Sequence, residues 1–261
     1  MKGLFFGVVV CLLVLLPAAI FGHDPVPVPS SPKKGRVTYY RQPNGLGIPS
    51  RACGYADTGI TYNYGNVAAA SSKLWRNGAA CGACYKVTCG IKGVCNSQGV
   101  KIVVTDRGDR DNADFMLSSH AFEAMALPNK ASQLLPKVVV DVKYERIPCK
   151  YPGHDALMVK VTEQSKFAEY LSIVLLYQGG QYDVLGIQIY DGSVKQWKDM
   201  RNAYGAVYDL PDPNPPKGPI SLKLKLKNTA SGGAVKLVKL ENVIPRFWKA
   251  GVAYDSKVKV A

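Results

Sequence analysis

The positions of the cysteines constrain the fold of this chain most, because all but one of them lie between residues 53 and 149. The chain has 261 residues and seven cysteines. Cys11 falls in an apolar N-terminal segment, and the other six all precede residue 150: Cys53, Cys81, Cys84, Cys89, Cys95 and Cys149. An even number of cysteines in an oxidising compartment predicts three disulfides. We therefore expect a stapled first domain, followed by a second domain that folds without disulfides.

A zinc knuckle is the alternative interpretation of these cysteines. Cys81 and Cys84 are separated by two residues, and Cys89 and Cys95 follow closely. Zinc requires thiolates, whereas the secretory route oxidises them, so secretion favours disulfides. The spacing does not by itself choose among the possible pairings.

The N-terminus predicts secretion. Residues 4–20 are almost wholly apolar, and the small residues Ala18, Ala19 and Gly22 precede a polar segment. This pattern predicts a signal peptide over residues 1–22. A membrane anchor is the alternative, but no later segment approaches such a length, and no membrane association is expected. Residues 23–36, rich in Pro, Ser and Lys, predict an extended arm.

The charge of the chain indicates an anionic partner. The formal net charge is +14, and both halves of the chain are basic. Basic proteins attract polyanions, and for a secreted protein in a plant wall an acidic polysaccharide such as pectin would be the natural candidate. Solubility alone is the alternative. Nucleic acid is not expected, because no dense Arg/Lys cluster with interleaved aromatic residues is present. With only His23, His120 and His154, no motif for a metal or cofactor emerges either.

The first domain has the pattern of short strands separated by turn residues. Runs of Val, Ile, Thr and Tyr predict four strands, at Val37–Tyr40, Cys84–Thr88, Val100–Thr105 and Lys137–Tyr144. Two short helices are predicted, at Ala68–Trp75 and Ser118–Leu127. The Pro- and Gly-containing residues 148–155 predict a connector to the second domain.

The second domain predicts an antiparallel β-sandwich, because strand patterns recur at regular spacing with almost no helical periodicity. Leu171–Gln178 and Val184–Asp191 are expected to pair across the Gly179-Gly180 turn. Val235–Leu240 is a further predicted strand. Trp75, Trp197 and Trp248 are expected in the core, since large aromatic residues dominate burial.

Ser221–Asn228 is the clearest strand pattern in the chain. Three leucines alternate with three lysines: Leu222, Leu224 and Leu226 with Lys223, Lys225 and Lys227. One face of this strand is therefore apolar and the other cationic. The lysines have two interpretations: protection of an edge strand against aggregation, which is the expectation, or a positive stripe for an anionic polymer.

Several motifs resemble those of the plant expansins, and the departures from the family pattern point to the expansin-like B subgroup. The resemblance runs from about residue 37 to residue 260, and the segments that carry it are Val37-Thr-Tyr-Tyr40, Cys81-Gly-Ala-Cys-Tyr-Lys-Val-Thr-Cys89, Thr105-Asp106, Ala121-Phe-Glu-Ala-Met-Ala126, Gln196-Trp-Lys-Asp-Met200, Gly205-Ala-Val-Tyr208 and Val243-Ile-Pro-Arg-Phe-Trp248. The resemblance implies an all-β protein: a double-psi β-barrel over residues 37–150, related to family-45 endoglucanases, and an immunoglobulin-like, glucan-binding β-sandwich over residues 151–261. It also implies the disulfides Cys53–Cys81, Cys84–Cys149 and Cys89–Cys95.

The residues do not support a hydrolytic site. Glycoside hydrolysis normally needs two carboxyl groups. By resemblance, the position of the family's catalytic-type acid is occupied by Met116, which has no proton to donate. Asp114 would point the same way as Met116 in an extended segment and is the one candidate replacement. Asp109 and Asp111 alternate with arginines, which favours an ion-pair loop. No catalytic residue is therefore assigned.

The resemblance implies a polysaccharide-binding surface. Its aromatic platform maps onto Tyr170 and Tyr208, continued by Tyr39 on the first domain, since aromatic rings stack on the C–H faces of sugars. A groove maps onto Thr38, Tyr40, Asp106 and Asp114. The predicted protein is a monomer of the plant cell wall that binds cellulose, hemicellulose or pectin and loosens polymer contacts without hydrolysis. The alternatives are a weak endoglucanase or transglycosylase, and a structural or defence-type extracellular protein.

Overall fold

The computed structural model describes residues 31–41, 52–56, 58–228 and 233–260. The predicted signal peptide and most of the predicted arm lie outside these ranges. Within them, no helix combines the length and the apolar character that a bilayer-spanning segment requires. The chain forms a barrel followed by a sandwich of two sheets, as the motifs imply.

The barrel is closed by six strands: β1 Lys33–Tyr39, β2 Val67–Ala70, β3 Cys84–Cys89, β4 Val100–Arg107, β5 Phe115–Leu117 and β6 Val140–Ile147. Their order around the barrel is β1-β5-β2-β4-β3-β6. The pairs β1–β5 and β2–β4 are parallel, and the others are antiparallel. Alternate residues fill the interior, which is why Ile102, Val104, Phe115 and Leu117 are fully buried.

Four short α-helices accompany these strands: α1 Thr58–Thr61, α2 Ser72–Trp75, α3 Ser119–Glu123 and α4 Ala131–Leu134, with 3₁₀ segments at Tyr62–Gly65, Arg76–Gly78 and Leu135–Lys137. The second predicted helix is therefore confirmed in a shorter form, as α3. The prediction of a helix over Ala68–Trp75 is wrong in its first half, where β2 lies between β4 and β5. Alanine suits a helix by propensity, but small side chains are also what a crowded barrel strand accommodates.

The first strand begins earlier than expected. β1 starts at Lys33, so the last four residues of the predicted arm belong to the barrel. Their backbone pairs with β6, with Gly35 opposite Val142 and Arg36 opposite Asp141. The Pro- and Lys-rich composition concealed this strand, because ladder hydrogen bonds depend on the backbone and not on the side chains.

The six cysteines form the disulfides Cys53–Cys81, Cys84–Cys149 and Cys89–Cys95, as the resemblance implies. All three staple the barrel half of the chain. The sulfur atoms that a zinc knuckle would need are therefore bonded to one another.

The sandwich contains nine strands: β7 Met158–Val161, β8 Ser172–Leu176, β9 Tyr182–Asp191, β10 Gln196–Asp199, β11 Arg201–Tyr204, β12 Val207–Asp209, β13 Ile220–Asn228, β14 Val235–Ile244 and β15 Ala253–Asp255. One sheet has the order β10-β9-β13-β14, and the other has the order β11-β12-β8-β7-β15. Leu222, Leu224 and Leu226 enter the core between them, with Ile173 and Leu175 from the opposite sheet.

The predicted hairpin across Gly179-Gly180 is wrong, because β8 and β9 belong to different sheets. The connection passes along the barrel instead of turning back on itself. Arg146 Nε donates to the Gly180 carbonyl at 2.6 Å, and Gly180 packs so closely on Cys149 that an added Cβ would lie 2.3 Å from its Sγ. A tight glycine turn therefore serves the domain contact here, and not a strand pair.

The three tryptophans differ in their environments. Trp248 is buried in the sandwich core, and Trp75 is partly buried against the barrel core, as expected for both. Trp197 is not in the core. It lies partly exposed on the outer side of the sandwich, under the Lys223 ammonium.

The barrel and the sandwich share an apolar cluster, to which the barrel contributes Tyr55, Tyr62 and Val103 and the sandwich Val174, Leu176 and Val207. A buried ion pair accompanies this cluster. Asp183 of β9 binds Arg146 of β6 at 2.7 Å and Arg76 at 2.9 Å. Two barrel arginines thus meet one sandwich carboxylate, which fixes the orientation of one domain on the other.

Candidate functional site

A row of side chains runs across the outside of four barrel strands. Thr38 lies opposite Met116, Met116 opposite Ala69, and Ala69 opposite Asp106. Residues directly opposite one another on neighbouring strands share a face of the sheet. The residues on either side of Thr38, Met116 and Ala69 point into the barrel core, so these three side chains point outwards, and a register shift in the β2–β4 pairing brings Asp106 opposite Ala69 at the end of the line. We call these four residues the Asp106 row.

Asp106 ends this row as a nearly buried carboxylate, 6% exposed. It accepts hydrogen bonds from the backbone N–H groups of Arg107 at 2.8 Å and Ala52 at 3.3 Å. Tyr40, which follows β1, is also buried, and its hydroxyl has no partner among the residues that the structure describes. Burial raises the pKa of Tyr40, and the Asp106 charge raises it further. Tyr40 therefore stays a neutral hydrogen-bond donor close to an acceptor.

Met116 occupies the middle of the Asp106 row as a packing residue. A Cβ added to Gly108 would lie 2.7 Å from Met116 Cε and 3.3 Å from Ala69 Cβ. The segment after β4 therefore folds over Met116, whose flexible thioether fills the space beneath it. Nothing at this position can give up a proton.

The contacts described for Asp114, which the sequence places in the groove, are with Arg36, Lys73 and Gly35 and not with Asp106. The Asp114 carboxylate accepts from Arg36 N–H at 3.0 Å and lies 3.6 Å from Lys73 Nζ. It sits against Gly35, three residues from Thr38 along β1, which is about 10 Å at the rise of a strand. Burial and the Asp114 charge raise the pKa of neighbouring Tyr144 to about 12.

The other carboxylates of this loop are engaged locally, as the alternation with arginine predicts. Asp109 accepts from both the backbone and the hydroxyl of Ser72, and these hydrogen bonds lower its pKa. Asp111 pairs with Arg110 at 3.3 Å and accepts from the Thr38 hydroxyl. Thr38 is therefore buried beneath the loop, and its hydroxyl is already in use.

Two of the three predicted platform tyrosines are wrong, because they are buried. Tyr39 is 9% exposed, packs on Phe122 with ring centroids 4.5 Å apart, and donates to the Leu135 carbonyl. Tyr208 is 6% exposed and donates to the Val184 carbonyl inside the sandwich. Neither ring can offer a face to a polymer.

Tyr170 is partly exposed beside a polar cluster at the rim of the five-stranded sheet. Its hydroxyl donates to Asp209 at 3.2 Å. Asp209 also accepts two hydrogen bonds from the exposed Arg201 guanidinium, which lowers the pKa of Asp209. The cluster keeps its charges at acidic pH and holds Tyr170 in place.

Tyr204 is the surface aromatic residue that the sequence interpretation missed. It is 48% exposed at the end of β11. The Tyr204 ring packs close to Gly54, where an added Cβ would lie 3.4 Å from the ring. Two residues before Gly54, the Ala52 N–H donates to the Asp106 carboxylate. Tyr204 therefore borders the barrel on the side of the Asp106 row. Gly205 makes this approach possible, because a Cβ there would lie 1.9 Å from the Ala52 carbonyl oxygen.

A signal for Tyr204 was present in the sequence. Tyr208 ends the apolar segment Ala206-Val207-Tyr208, which is typical of a buried strand, whereas Tyr204 lies two residues after the polar pair Arg201-Asn202. Tyr170 and Tyr204 together form what we call the tyrosine rim. Among the described residues, no group of three or more His, Cys, Asp or Glu side chains is arranged to hold a metal.

Comparison with known proteins agrees with both halves of this architecture. Residues 157–245 match the expansin C-terminal domain family, and residues 67–144 match a double-psi β-barrel family described as lytic transglycolase. A crystal structure of a Clavibacter michiganensis expansin variant in complex with cellohexaose has a similar fold. Its TM-score is 0.64 at 19% identity, over 88% of this chain and 98% of that one.

Sequence relatives are closer. Expansin-like B1 of Arabidopsis thaliana is 39% identical over 95% of this chain and 94% of the relative. Expansin-like B1 of Oryza sativa subsp. japonica is 37% identical over 86% of this chain and 87% of the relative. Expansin-like A3 of Arabidopsis thaliana is 37% identical over 87% of this chain and 84% of the relative. The similarity spans the barrel and the sandwich alike, and the chain therefore belongs to the expansin family.

Proposed function

We propose that this protein is secreted into the plant cell wall, binds wall polysaccharide through the tyrosine rim and the Asp106 row, and loosens polymer contacts without cleaving them. The observation that carries the proposal is the chemistry of the Asp106 row, which contains one carboxylate and a thioether. The three disulfides support an oxidising, extracellular location.

Among the described residues, the row has no second carboxylate of its own, and Asp111, which accepts from Thr38, is paired with Arg110; this argues against hydrolysis. Cleaving a glycosidic bond calls for one group to protonate the leaving oxygen and another to activate water or attack. Asp106 could supply one of these roles. Met116 cannot supply the other, and Asp114 is bound to Arg36 and Lys73 at a different part of β1.

The same surface is suited to holding a sugar chain. The exposed ring of Tyr204 offers an apolar face to sugar C–H groups, and Tyr170 extends this surface along the sandwich. On the barrel, the row offers the acceptor Asp106 and the partly exposed Met116, whereas the Tyr40 hydroxyl is buried and does not reach the surface. Cellohexaose in the Clavibacter michiganensis complex supports a β-glucan as the ligand class.

Binding can be tested by sedimentation with cellulose and with xyloglucan. Tyr204→Ala should weaken binding about fivefold, because an aromatic stacking contact contributes on the order of 1 kcal/mol. Tyr64→Ala is the matched control, since Tyr64 is also a highly exposed tyrosine but lies beside Tyr151 and Tyr177 and not in the tyrosine rim. Equal losses in the two variants would contradict the assignment of the binding surface.

Catalysis can be tested separately with purified glucans. We expect no release of reducing ends and no transfer of glucan to a labelled acceptor, together with extension of isolated wall strips under constant load. Reducing ends or transfer products that disappear in Asp106→Asn would instead establish a weak endoglucanase or transglycosylase. Full binding with no wall extension would favour the structural or defence-type alternative.

A further inference from the structure

The outer side of the four-stranded sheet carries a cationic surface that the proposed function does not use. Lys223 and Lys225 of β13 and Lys239 of β14 point away from the core, because their neighbours in each strand point into it. We call these three residues the basic face. Lys227 continues the line, but it lies opposite Asp183 at the barrel end of the sheet.

Protection of an edge strand does not explain these lysines. β13 is an interior strand, hydrogen-bonded to β9 on one side and to β14 on the other. An interior strand presents no unpaired backbone groups to another chain, so charges on it are not needed to prevent edge-to-edge aggregation. The explanation expected from the sequence is therefore wrong, and the lysines require another one.

The arrangement of the lysines is also unfavourable in the free protein. Lys223 lies directly opposite Lys239 in the β13–β14 ladder, and like charges in that relation destabilise a sheet. Trp197 reduces the conflict, because its ring centroid lies 4.1 Å from Lys223 Nζ and 5.7 Å from Lys239 Nζ. The ring thereby holds two ammonium groups above the sheet in a defined position.

The anionic neighbours of the basic face are few. Lys239 pairs with Glu241 at 2.6 Å, and Asp199 at the far edge accepts a hydrogen bond from Gln188. Across the described residues, none of the ion pairs involves Lys223 or Lys225. Positive charge therefore predominates at the centre of the surface.

The surface is also partly apolar. Lys225 lies between Gly186 and Leu237 in the sheet. A Cβ on Gly186 would meet nothing within 4 Å, and Leu237 is largely exposed. With Trp197 nearby, the lysines thus alternate with surface that suits the C–H side of a sugar ring.

We propose that the basic face is a second polysaccharide site, specific for polymers of uronic acids. A uronate ring combines a carboxylate for the ammonium groups with a C–H face for Leu237 and Gly186, which phosphate backbones and lipid headgroups do not offer. Binding there relieves the repulsion between Lys223 and Lys239. The inference rests on the proposed wall setting, but the site lies on the opposite sheet from the tyrosine rim.

The test compares two variants with the same loss of charge. One carries Lys223→Gln, Lys225→Gln and Lys239→Gln, and the other carries three exposed barrel substitutions, Lys92→Gln, Lys101→Gln and Lys137→Gln. The ligands are polygalacturonate and the same polymer after methyl esterification, which keeps the rings and removes the charge. Cellulose binding is followed in parallel, because it reports the tyrosine rim and the Asp106 row, neither of which contains a substituted lysine.

We expect the basic-face variant to bind polygalacturonate about tenfold more weakly, as three modest ion-pair contacts would give. The barrel variant, and a version with three Lys→Arg changes on the basic face, should bind nearly as the wild type does. Added salt and esterification should each weaken binding, since only charge is screened. Cellulose binding should be unchanged in all variants. If the wild-type protein did not bind cellulose, the assignment of the tyrosine rim as a glucan site would be refuted, but the proposal for the basic face would not.

Other outcomes would overturn the inference. Equal losses in the basic-face and barrel variants would show that net charge alone attracts the polymer. Wild-type binding that esterification leaves unchanged would exclude recognition of the carboxylate. Duplex DNA or anionic vesicles bound as tightly as polygalacturonate, with the same dependence on the three lysines, would show a general polyanion surface.

Discussion

Removing the Asp183 carboxylate should destabilise the protein far more than removing a surface carboxylate. The Asp183 and Arg146 side chains are only 5% and 7% exposed, and their charged atoms are 2.7 Å apart. Arg76 adds a second contact at 2.9 Å. In Asp183→Ala the buried Arg146 guanidinium loses the carboxylate that it contacts at 2.7 Å, and breaking a buried pair in this way costs about 3–5 kcal/mol.

Thermal unfolding provides the assay for this prediction. For a chain of this size, each kcal/mol shifts Tm by about 2–4 °C, so Asp183→Ala should lower Tm by roughly 6–20 °C. Asp183→Asn, which keeps the shape and removes the charge, should fall within the same range. Because Asp183 joins the barrel to the sandwich, we also expect the two domains to unfold less cooperatively in both variants.

Asp255→Ala is the matched control. Asp255 pairs with Lys257 at 2.7 Å within the sandwich, but both side chains are exposed, and solvent and salt screen such a pair so that it contributes little to stability. Its Tm should therefore fall by only a few degrees. If Asp183→Ala shifted Tm no more than this control does, the argument that a buried ion pair fixes the two domains would be refuted.

Three further predictions follow from the same structure. Gly205→Ala should lower the free energy of unfolding, measured by chemical denaturation, by more than about 1 kcal/mol, because Gly205 has a φ of 51° and a Cβ there would meet the Ala52 carbonyl. Gly90→Ala is the control and should have little effect, because a Cβ at Gly90 meets nothing within 4 Å. Hydrogen bonds from Ser193 and Lys198 lower the pKa of Asp191 to about 2. The stability that ionised Asp191 contributes is therefore complete above the pKa of about 4 in the unfolded chain and is lost as the pH falls towards about 2. The stability of Asp191→Asn should depend less on pH in this window, and an unchanged profile would contradict the assignment. Thiol reductant in mild denaturant should expose barrel amides to hydrogen exchange before sandwich amides, because all three disulfides lie in the barrel half, and simultaneous exposure would argue against independent stapling.

The sequence predicted what depends on local alternation and on the cysteine framework. β3 and β13 lie close to their expected positions, because their alternating apolar and polar residues match a strand with one buried face. It could not predict which strands become neighbours. The interior position of β13 and the separation of β8 from β9 arise from contacts between residues distant in the chain.

The candidate site was predicted in its chemistry more than in its geometry. Met116 and Asp106 lie in one row, Met116 because the residues on either side of it enter the core, and Asp106 because the β2–β4 pairing shifts register just before it. Asp114 precedes β5, so its orientation follows from Arg36 and Lys73 and not from strand alternation. Tyr39 and Tyr208 were misassigned because a motif marks position in the chain but does not report burial.

The two sheets of the sandwich have a mechanical consequence. The rim bearing Tyr204 and the surface bearing Lys223 belong to opposite sheets, and packed sheets lie about 10 Å apart. A glucan held on one side and a uronate polymer held on the other would be kept apart by the full thickness of the folded layer. The protein would then act as a rigid spacer, because two polymers that adhere only through direct contact would no longer touch where the sandwich lies between them.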